Sequence, residues 1–304
     1  MKNKKLTGNL LLLLTAMIWG TSFVFQRVGM SSIGPITFTA ARMCLSAVAV
    51  SAVAFLPDLF TSAAPAKEPE EQRSFRRSTV FGGIFCGLFL AAGSLLQQIG
   101  VVYTTAGKAG FITALYMLLV PVVNFLFFRK KNSLRVWLAV LIGVVGLYLL
   151  CVTEGFSLAK GDTLICICAF MFCGHILCCD SYAPRGNAVK ISAIQFITSA
   201  LICTASAFIM EEPAMEQIIS AAVPILYCGL MSGGLGFTLQ IIAQKHTDPT
   251  IASLLMSLES VFAVIAGALL LGEWMSTREL IGCVVMFAAI VLVQLPEKKK
   301  PPEL

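Results

Sequence analysis

The chain has 304 residues, of which 58% are apolar and only 12% charged, with a net charge of +6. A soluble globular protein is roughly 45–50% apolar and about 25% charged. This composition therefore excludes an ordinary water-soluble enzyme, a disordered chain and a secreted disulfide scaffold, and requires a polytopic membrane protein.

About 20 apolar residues cross a bilayer core. Ten runs qualify in chain order: 8–27, 35–56, 79–101, 107–128, 134–152, 161–182, 189–210, 218–242, 250–271 and 277–295. The first follows MKNKK, is longer than the core of a signal peptide and has no cleavage site after it, so it reads as a true span. The one long gap, Pro57 to Arg77, is polar, of mixed charge and contains proline, and is expected to be a flexible loop. All eleven cysteines lie inside or at the edges of apolar runs, so no disulfide framework is implied.

Basic residues orient the chain. With the N-terminus in the cytoplasm, ten alternating spans put Lys2, Lys4, Lys5, Lys67, Arg73, Arg76, Arg77, Arg129, Lys130, Lys131, Arg135, Arg185, Lys190, Lys245 and Lys298 to Lys300 inside. Arg27, Lys108, Lys160 and Arg278 fall outside, and Arg42 within the membrane. This split follows the positive-inside rule and places both termini in the cytoplasm. Basic loops facing an anionic leaflet explain the net charge without a nucleic-acid partner.

The chain also repeats. Residues 93–152 slide onto 236–295 without a gap, with eleven of sixty positions identical, including Gly93/Gly236, Gln97/Gln240, Thr104/Thr247, Ser133/Ser276 and Arg135/Arg278. The first span meets the sixth, with Gly8 over Gly161 and Ala16 over Ala169. Five spans per repeat, over 1–152 and 153–304, force the second copy into the membrane upside down. That is a recurring plan of alternating-access carriers.

The motifs within this frame are Trp19-Gly20-Thr21-Ser22-Phe23 in the first span, Pro35 with Arg42 in the second, and TTAGKAGFITALYMLLVP from Thr104 to Pro121, followed by a basic RKK. In the second half come Ser257-Leu258-Glu259 and Leu270-Leu271-Gly272-Glu273. With these the chain resembles EamA-type permeases of the drug/metabolite transporter superfamily, from Trp19 to Leu295. It departs from the common family pattern in having Ser260, not proline, after the Leu-Glu pair. The resemblance implies a ten-helix carrier of small metabolites, often an exporter, with a cavity between its halves. It is nearly silent about the substrate.

Ionisable groups inside a membrane are costly and mark candidate sites. Glu259 lies near the middle of the ninth span and faces two readings: a substrate or proton site, or a structural carboxyl that joins helices. Its counterpart in the first repeat is Tyr116. Arg42 is a candidate clamp for an anionic group such as a carboxylate, against snorkelling or a structural pair. Lys108, at the outer start of the fourth span, has the same alternatives. Polar stripes at helical spacing point to a shared cavity: Thr15, Trp19, Ser22 and Gln26; Ser94, Gln97, Gln98 and Thr105; Thr113, Tyr116 and Asn124; Ser232, Gly236 and Gln240. Trp19 is either an aromatic wall of that cavity or a packing residue.

Gly83–Gly87 and Gly229–Gly233 have the spacing of close helix contacts. Pro121 and Pro224 are expected to interrupt the fourth and eighth spans. The sixth span carries Cys168, His175 and Cys179 on one face. A soft metal there is conceivable, but cysteine packs as a small apolar residue, and no metal or other cofactor is assigned. Gly107-Lys108 lacks the rest of a phosphate-binding loop, with Val102 and Ala109 at the required Gly and Ser/Thr positions.

These features together predict an all-α membrane protein and a secondary transporter, not an enzyme. It would export a small polar or amphipathic metabolite across a bacterial-type cell membrane, with protons as a candidate coupling ion. Two other classes stay open: an uncoupled pore or facilitator, and an intramembrane enzyme acting on lipids. The latter needs partnered acids near an interface, and Asp180 and Glu273 have no evident partner in the sequence.

Overall fold

The computed structural model describes residues 2–60, 69–103, 106–130, 132–152, 160–272, 274 and 276–295. The described residues are mostly helical, with no strand among them. Nine segments among them are long and apolar enough to cross a membrane, and a tenth apolar helix, Leu134–Leu150, falls just short of that length.

Helices α1 (Lys2–Gly29), α2 (Pro35–Phe60) and α3 (Pro69–Val102) form the first three spans. The fourth is split into α4 (Ala106–Ala114) and α5 (Tyr116–Phe128), and α6 (Leu134–Cys151) follows. Then come α7 (Lys160–Tyr182) and α8 (Ala188–Met210), and a short helix α9 (Met215–Ser220). The eighth span is α10 (Ala222–Leu226), a π-helical stretch Tyr227–Phe237, and α11 (Thr238–Gln244). The ninth is split into α12 (Pro249–Met256) and α13 (Glu259–Leu271), and α14 (Thr277–Gln294) ends the described chain.

Local chemistry sets these boundaries. The Asp248 side chain accepts from the Thr250 N–H at 2.9 Å with Pro249 next in line, which starts α12. A Ser276–Glu279 capping box starts α14. The long gap is shorter than its composition suggests. Residues 69–77 form the first turns of α3, whose N-terminus carries Glu70 and Glu71 where the helix dipole favours acids. Polarity there marks a helix reaching out of the membrane, and only 61–68 of the expected loop lie outside the described residues.

The two prolines do not make the breaks expected of them. Pro121 lies inside continuous α5, and the fourth span breaks at Leu115 instead. Pro224 sits in the first turn of α10, where a missing N–H costs nothing. The irregularity of the eighth span is the π-helical stretch after it.

Helices pack in pairs. The α2–α8 pair closes one side and α6–α14 the other; α3 against α7, and α1 against the eighth span, form the walls. The split fourth and ninth spans pack against each other and against α1, α6 and α7. Glycines carry the tightest contacts. A Cβ on Gly83 or Gly87 would meet α8 at Ile194 or Thr198, and one on Gly229 or Gly233 would meet α2 at Leu45 or Ser46. The outer faces are apolar: Leu201 is 68% and Ile209 83% exposed, a surface that suits lipid and not water.

Candidate functional site

A cavity lies between α1, α2, α3, the fourth span, α7 and the eighth and ninth spans. Its water-accessible volume is about 60 Å³. Seven of the eight candidate residues line it: Trp19, Ser22, Arg42, Gln97, Tyr116, Gln240 and Glu259. The eighth, Lys108, stands in the first turn of α4, and its side chain lies outside the described residues, as does Thr105.

The breaks deliver the central pair. In the fourth span the helix tightens at Leu115, whose N–H donates to the Ile112 carbonyl at 3.3 Å. In the ninth, Leu258 donates to the Leu255 carbonyl, also at 3.3 Å. Leu115 and Leu258 are related by the 143-residue shift of the sequence repeat. The next residues, Tyr116 and Glu259, are thus equivalent stations on the two split spans, and they touch. The Tyr116 hydroxyl donates to Glu259 Oε1 at 3.1 Å, with both side chains buried.

Arg42 does not pair with Glu259. It is 7% exposed, forms no ion pair among the described residues, and its Nε has no hydrogen-bond partner. Gln97 Nε2 donates to Thr113 Oγ1 at 3.3 Å, and Gln240 Nε2 to Gln244 Oε1 at 3.0 Å. Gln240 Oε1 has no partner. A donor of Arg42 and an acceptor of Gln240 without a protein partner thus belong to two residues that line one cavity.

The π-helical stretch shapes another wall. Its wider turn offers carbonyls to neighbouring side chains. Trp19 Nε1 donates to the Ser232 carbonyl at 3.0 Å, Ser46 Oγ to that of Gly229 at 2.6 Å, and Thr15 Oγ1 to that of Gly236 at 3.4 Å. Trp19 is therefore held by a hydrogen bond with its ring against the cavity, 4.6 Å from the Phe237 ring centroid. Asn124, from the fourth-span stripe, and Gln98, from the third, are buried away from the cavity.

Sequence reasoning by stripes missed His175, Phe172 and Phe237, which also line the cavity. The repeat carries the signal for them. Shifted by 153, Trp19, Ser22 and Phe23 fall on Phe172, His175 and Ile176; shifted by 143, Ser94, Gln97, Thr113 and Tyr116 fall on Phe237, Gln240, Met256 and Glu259. These seven pairs supply fourteen of the seventeen lining residues. Asp180, not among the lining residues, forms an ion pair with Lys130 at 3.2 Å, a partner not evident in the sequence; Glu273 lies outside the described residues.

A bundle of apolar helices around a buried polar cavity holding an arginine and a glutamate is the architecture of a membrane transporter for a small molecule. The EamA-like transporter family model matches residues 6–152 and again 159–295, and the chain belongs to that family. It is 26% identical over 292 residues to an "uncharacterized transporter" of Archaeoglobus fulgidus, covering 96% of this chain and 87% of that one. It is 20% identical to the protein PagO of Salmonella typhimurium, covering 95% and 93%, and 19% identical to the "uncharacterized transporter YoaV" of Bacillus subtilis, covering 91% and 92%. Among solved structures, one crystal structure at 17% identity superposes with a TM-score of 0.75 over 93% of this chain and 95% of the other, a likeness of fold.

Proposed function

We propose that the protein is a secondary transporter that exports a small polar or amphipathic metabolite across the cell membrane by alternating access. Two inverted five-helix repeats, 1–152 and 153–304, make ten spans, with both termini in the cytoplasm. The observation that carries this reading is the pairing of the cavity lining, in which fourteen of seventeen residues fall into seven repeat-related pairs. A site built equally from two oppositely inserted halves can open to either face as the halves exchange conformations.

Contacts outside the cavity support the same symmetry. A Cβ on Gly161 would meet Gly100, and one on Gly8 would meet Ala243; Gly8 is the counterpart of Gly161, and Ala243 that of Gly100. The α2–α8 and α6–α14 pairs each join a span to its own counterpart.

Within the site, Arg42 holds an anionic group such as a carboxylate on the substrate, and Trp19 with Phe172 flanks its apolar part. Glu259 exchanges the coupling proton, with the Tyr116 hydroxyl as its hydrogen-bond partner. One proton moved down 100 mV supplies about 2.3 kcal/mol.

The test is transport by purified protein in liposomes with a candidate substrate that raises its melting temperature. Saturable flux with counterflow, driven by an imposed pH gradient, is expected. Flux that never saturates and shows no counterflow would make the protein a facilitator and overturn the carrier reading.

A further inference from the structure

Cys86 of α3 and Cys179 and His175 of α7 meet beside the cavity. All three are buried, and one donor atom from each lies within 4.8 Å of the other two. The thiol sulfurs are 3.7 Å apart, and Cys179 Sγ is 3.9 Å from each ring nitrogen of His175. Cys168, one helical face candidate in the sequence, is not in the cluster; Cys86 comes from 93 positions away.

We infer that Cys86, Cys179 and His175 form a binding site for a soft divalent cation of the zinc, cadmium or mercury class beside the cavity. Geometry, orientation and charge argue for it. Two thiolates held at about 2.3 Å on one tetrahedral ion stand roughly 3.8 Å apart, and a thiolate and an imidazole roughly 3.6 Å. The Cys86–Cys179 and Cys179–His175 separations match these with little movement, and the Cys86 and His175 donors lie within 4.8 Å of each other. His175 Nε2 lies 3.0 Å from Gln195 Oε1, which accepts its proton and leaves Nδ1 free to ligate. Metal-bound histidines are held in this way by an outer hydrogen-bond acceptor.

Charge then selects the ion. Binding breaks two S–H bonds, forms two metal–sulfur bonds and one metal–nitrogen bond, and releases two protons, with no change of oxidation state. A divalent ion with two thiolates and a neutral imidazole is uncharged overall. A monovalent ion would leave a buried net negative charge, which is costly in a membrane interior. His175 also lines the cavity, so the ion would sit next to it. A bound ion ties α3 of the first half to α7 of the second.

The probe is Cd²⁺ added to the purified full chain in detergent, free of chelators. One equivalent is expected to raise the cadmium–thiolate charge-transfer absorption, with two protons released per ion and a higher melting temperature. Cys86→Ser and Cys179→Ser each remove that first equivalent, whereas Cys203→Ser, buried elsewhere, keeps it. Gln195→Ala, a positioning change, weakens binding about 10–100-fold. A wild-type band in the Cys86→Ser/Cys179→Ser double variant, or no band at one equivalent in the wild type, overturns the site. Where a serine variant does not fold, the cadmium NMR resonance of the wild type decides: a two-sulfur, one-nitrogen environment supports the site, and any other ligand set removes it.

Discussion

Equivalent stations of the two halves carry different chemistry. After the break of the fourth span stands Tyr116; after the break of the ninth stands Glu259. Trp19 corresponds to Phe172 and Ser22 to His175, and Ser94 and Thr113 of the first half give way to Phe237 and Met256 in the second. On the second span of each half, Arg42 corresponds to Gln195. The first half thus supplies the cation and most of the hydroxyls, and the second the carboxyl and the imidazole. The backbone is duplicated while the electrostatics are divided, so that charges of opposite sign line one cavity without forming an ion pair with each other. An ion pair would have satisfied both groups and left nothing for a ligand to do.

The largest expected effect comes from erasing that division at its centre. Glu259→Gln keeps the size and the hydrogen bond from Tyr116 but cannot exchange a proton. Proton-driven uptake into liposomes is expected to vanish, with the melting temperature near wild type. Tyr116→Phe removes the partner and spares the carboxyl, and is expected to slow flux without abolishing its response to a pH gradient. If Glu259→Gln retains flux that still follows the pH gradient, Glu259 is a structural carboxyl.

Next in size is Arg42→Gln, which gives the first half the residue its counterpart Gln195 already has. A hydrogen bond to a charged group contributes about 1.5–3 kcal/mol, so affinity for a carboxylate-bearing ligand is expected to fall roughly 10–100-fold. The loss should be absent for a neutral analogue lacking the carboxylate. Equal losses for both, read by ligand-induced shifts in melting temperature, would show that Arg42 only packs.

The extent to which this division is legible in the sequence differs between fold and site. The apolar helices, the sequence repeat and most of the polar residues that line the cavity follow from hydropathy, shift and helical spacing, because a membrane forces apolar runs and makes intramembrane polar groups rare. Helix breaks do not follow. Leu115 and Leu258 are ordinary helix formers, and nothing in their residue type marks the tightening there. The π-helical stretch is a tertiary feature, held by Trp19, Ser46 and Thr15 from other helices. Glu70 and Glu71 were misleading for a related reason: polarity in a membrane protein distinguishes inside from outside the bilayer, not helix from loop.

Packing glycines offer a smaller test. A Cβ on Gly161 would lie 2.5 Å from the Gly100 carbonyl, which belongs to backbone, whereas one on Gly8 would lie 2.5 Å from Thr247 Oγ1, a side-chain hydroxyl that can turn away. Overpacking costs about 1–3 kcal/mol. Gly161→Ala is expected at the upper end and Gly8→Ala at the lower, read as thermal unfolding in detergent. The reverse order would mean that the two crossings are not packed alike.

The smallest effect concerns how each half starts its second helix. Helix α8 is capped from within, where Asn187 Oδ1 accepts from the N–H groups of Val189 and Lys190, both at 3.1 Å. The counterpart of Asn187 is Gly34, which has no side chain to offer. Glu211, at the end of α8, fills the role from outside: its carboxylate accepts from the N–H groups of Ile36 at 3.0 Å and Thr37 at 2.8 Å, the counterparts of Val189 and Lys190. A Cβ on Gly34 would collide with that carboxylate, so the glycine and the glutamate depend on each other. Losing a cap costs about 0.5–2 kcal/mol, and Glu211→Ala and Asn187→Ala should each lower stability by that order. Adding Gly34→Asn to Glu211→Ala fills the vacated space with an internal cap and should recover part of the loss. If the double variant is no more stable than Glu211→Ala alone, the α2 terminus depends on the charge that Glu211 brings across from α8, and the two halves start these helices by different physics.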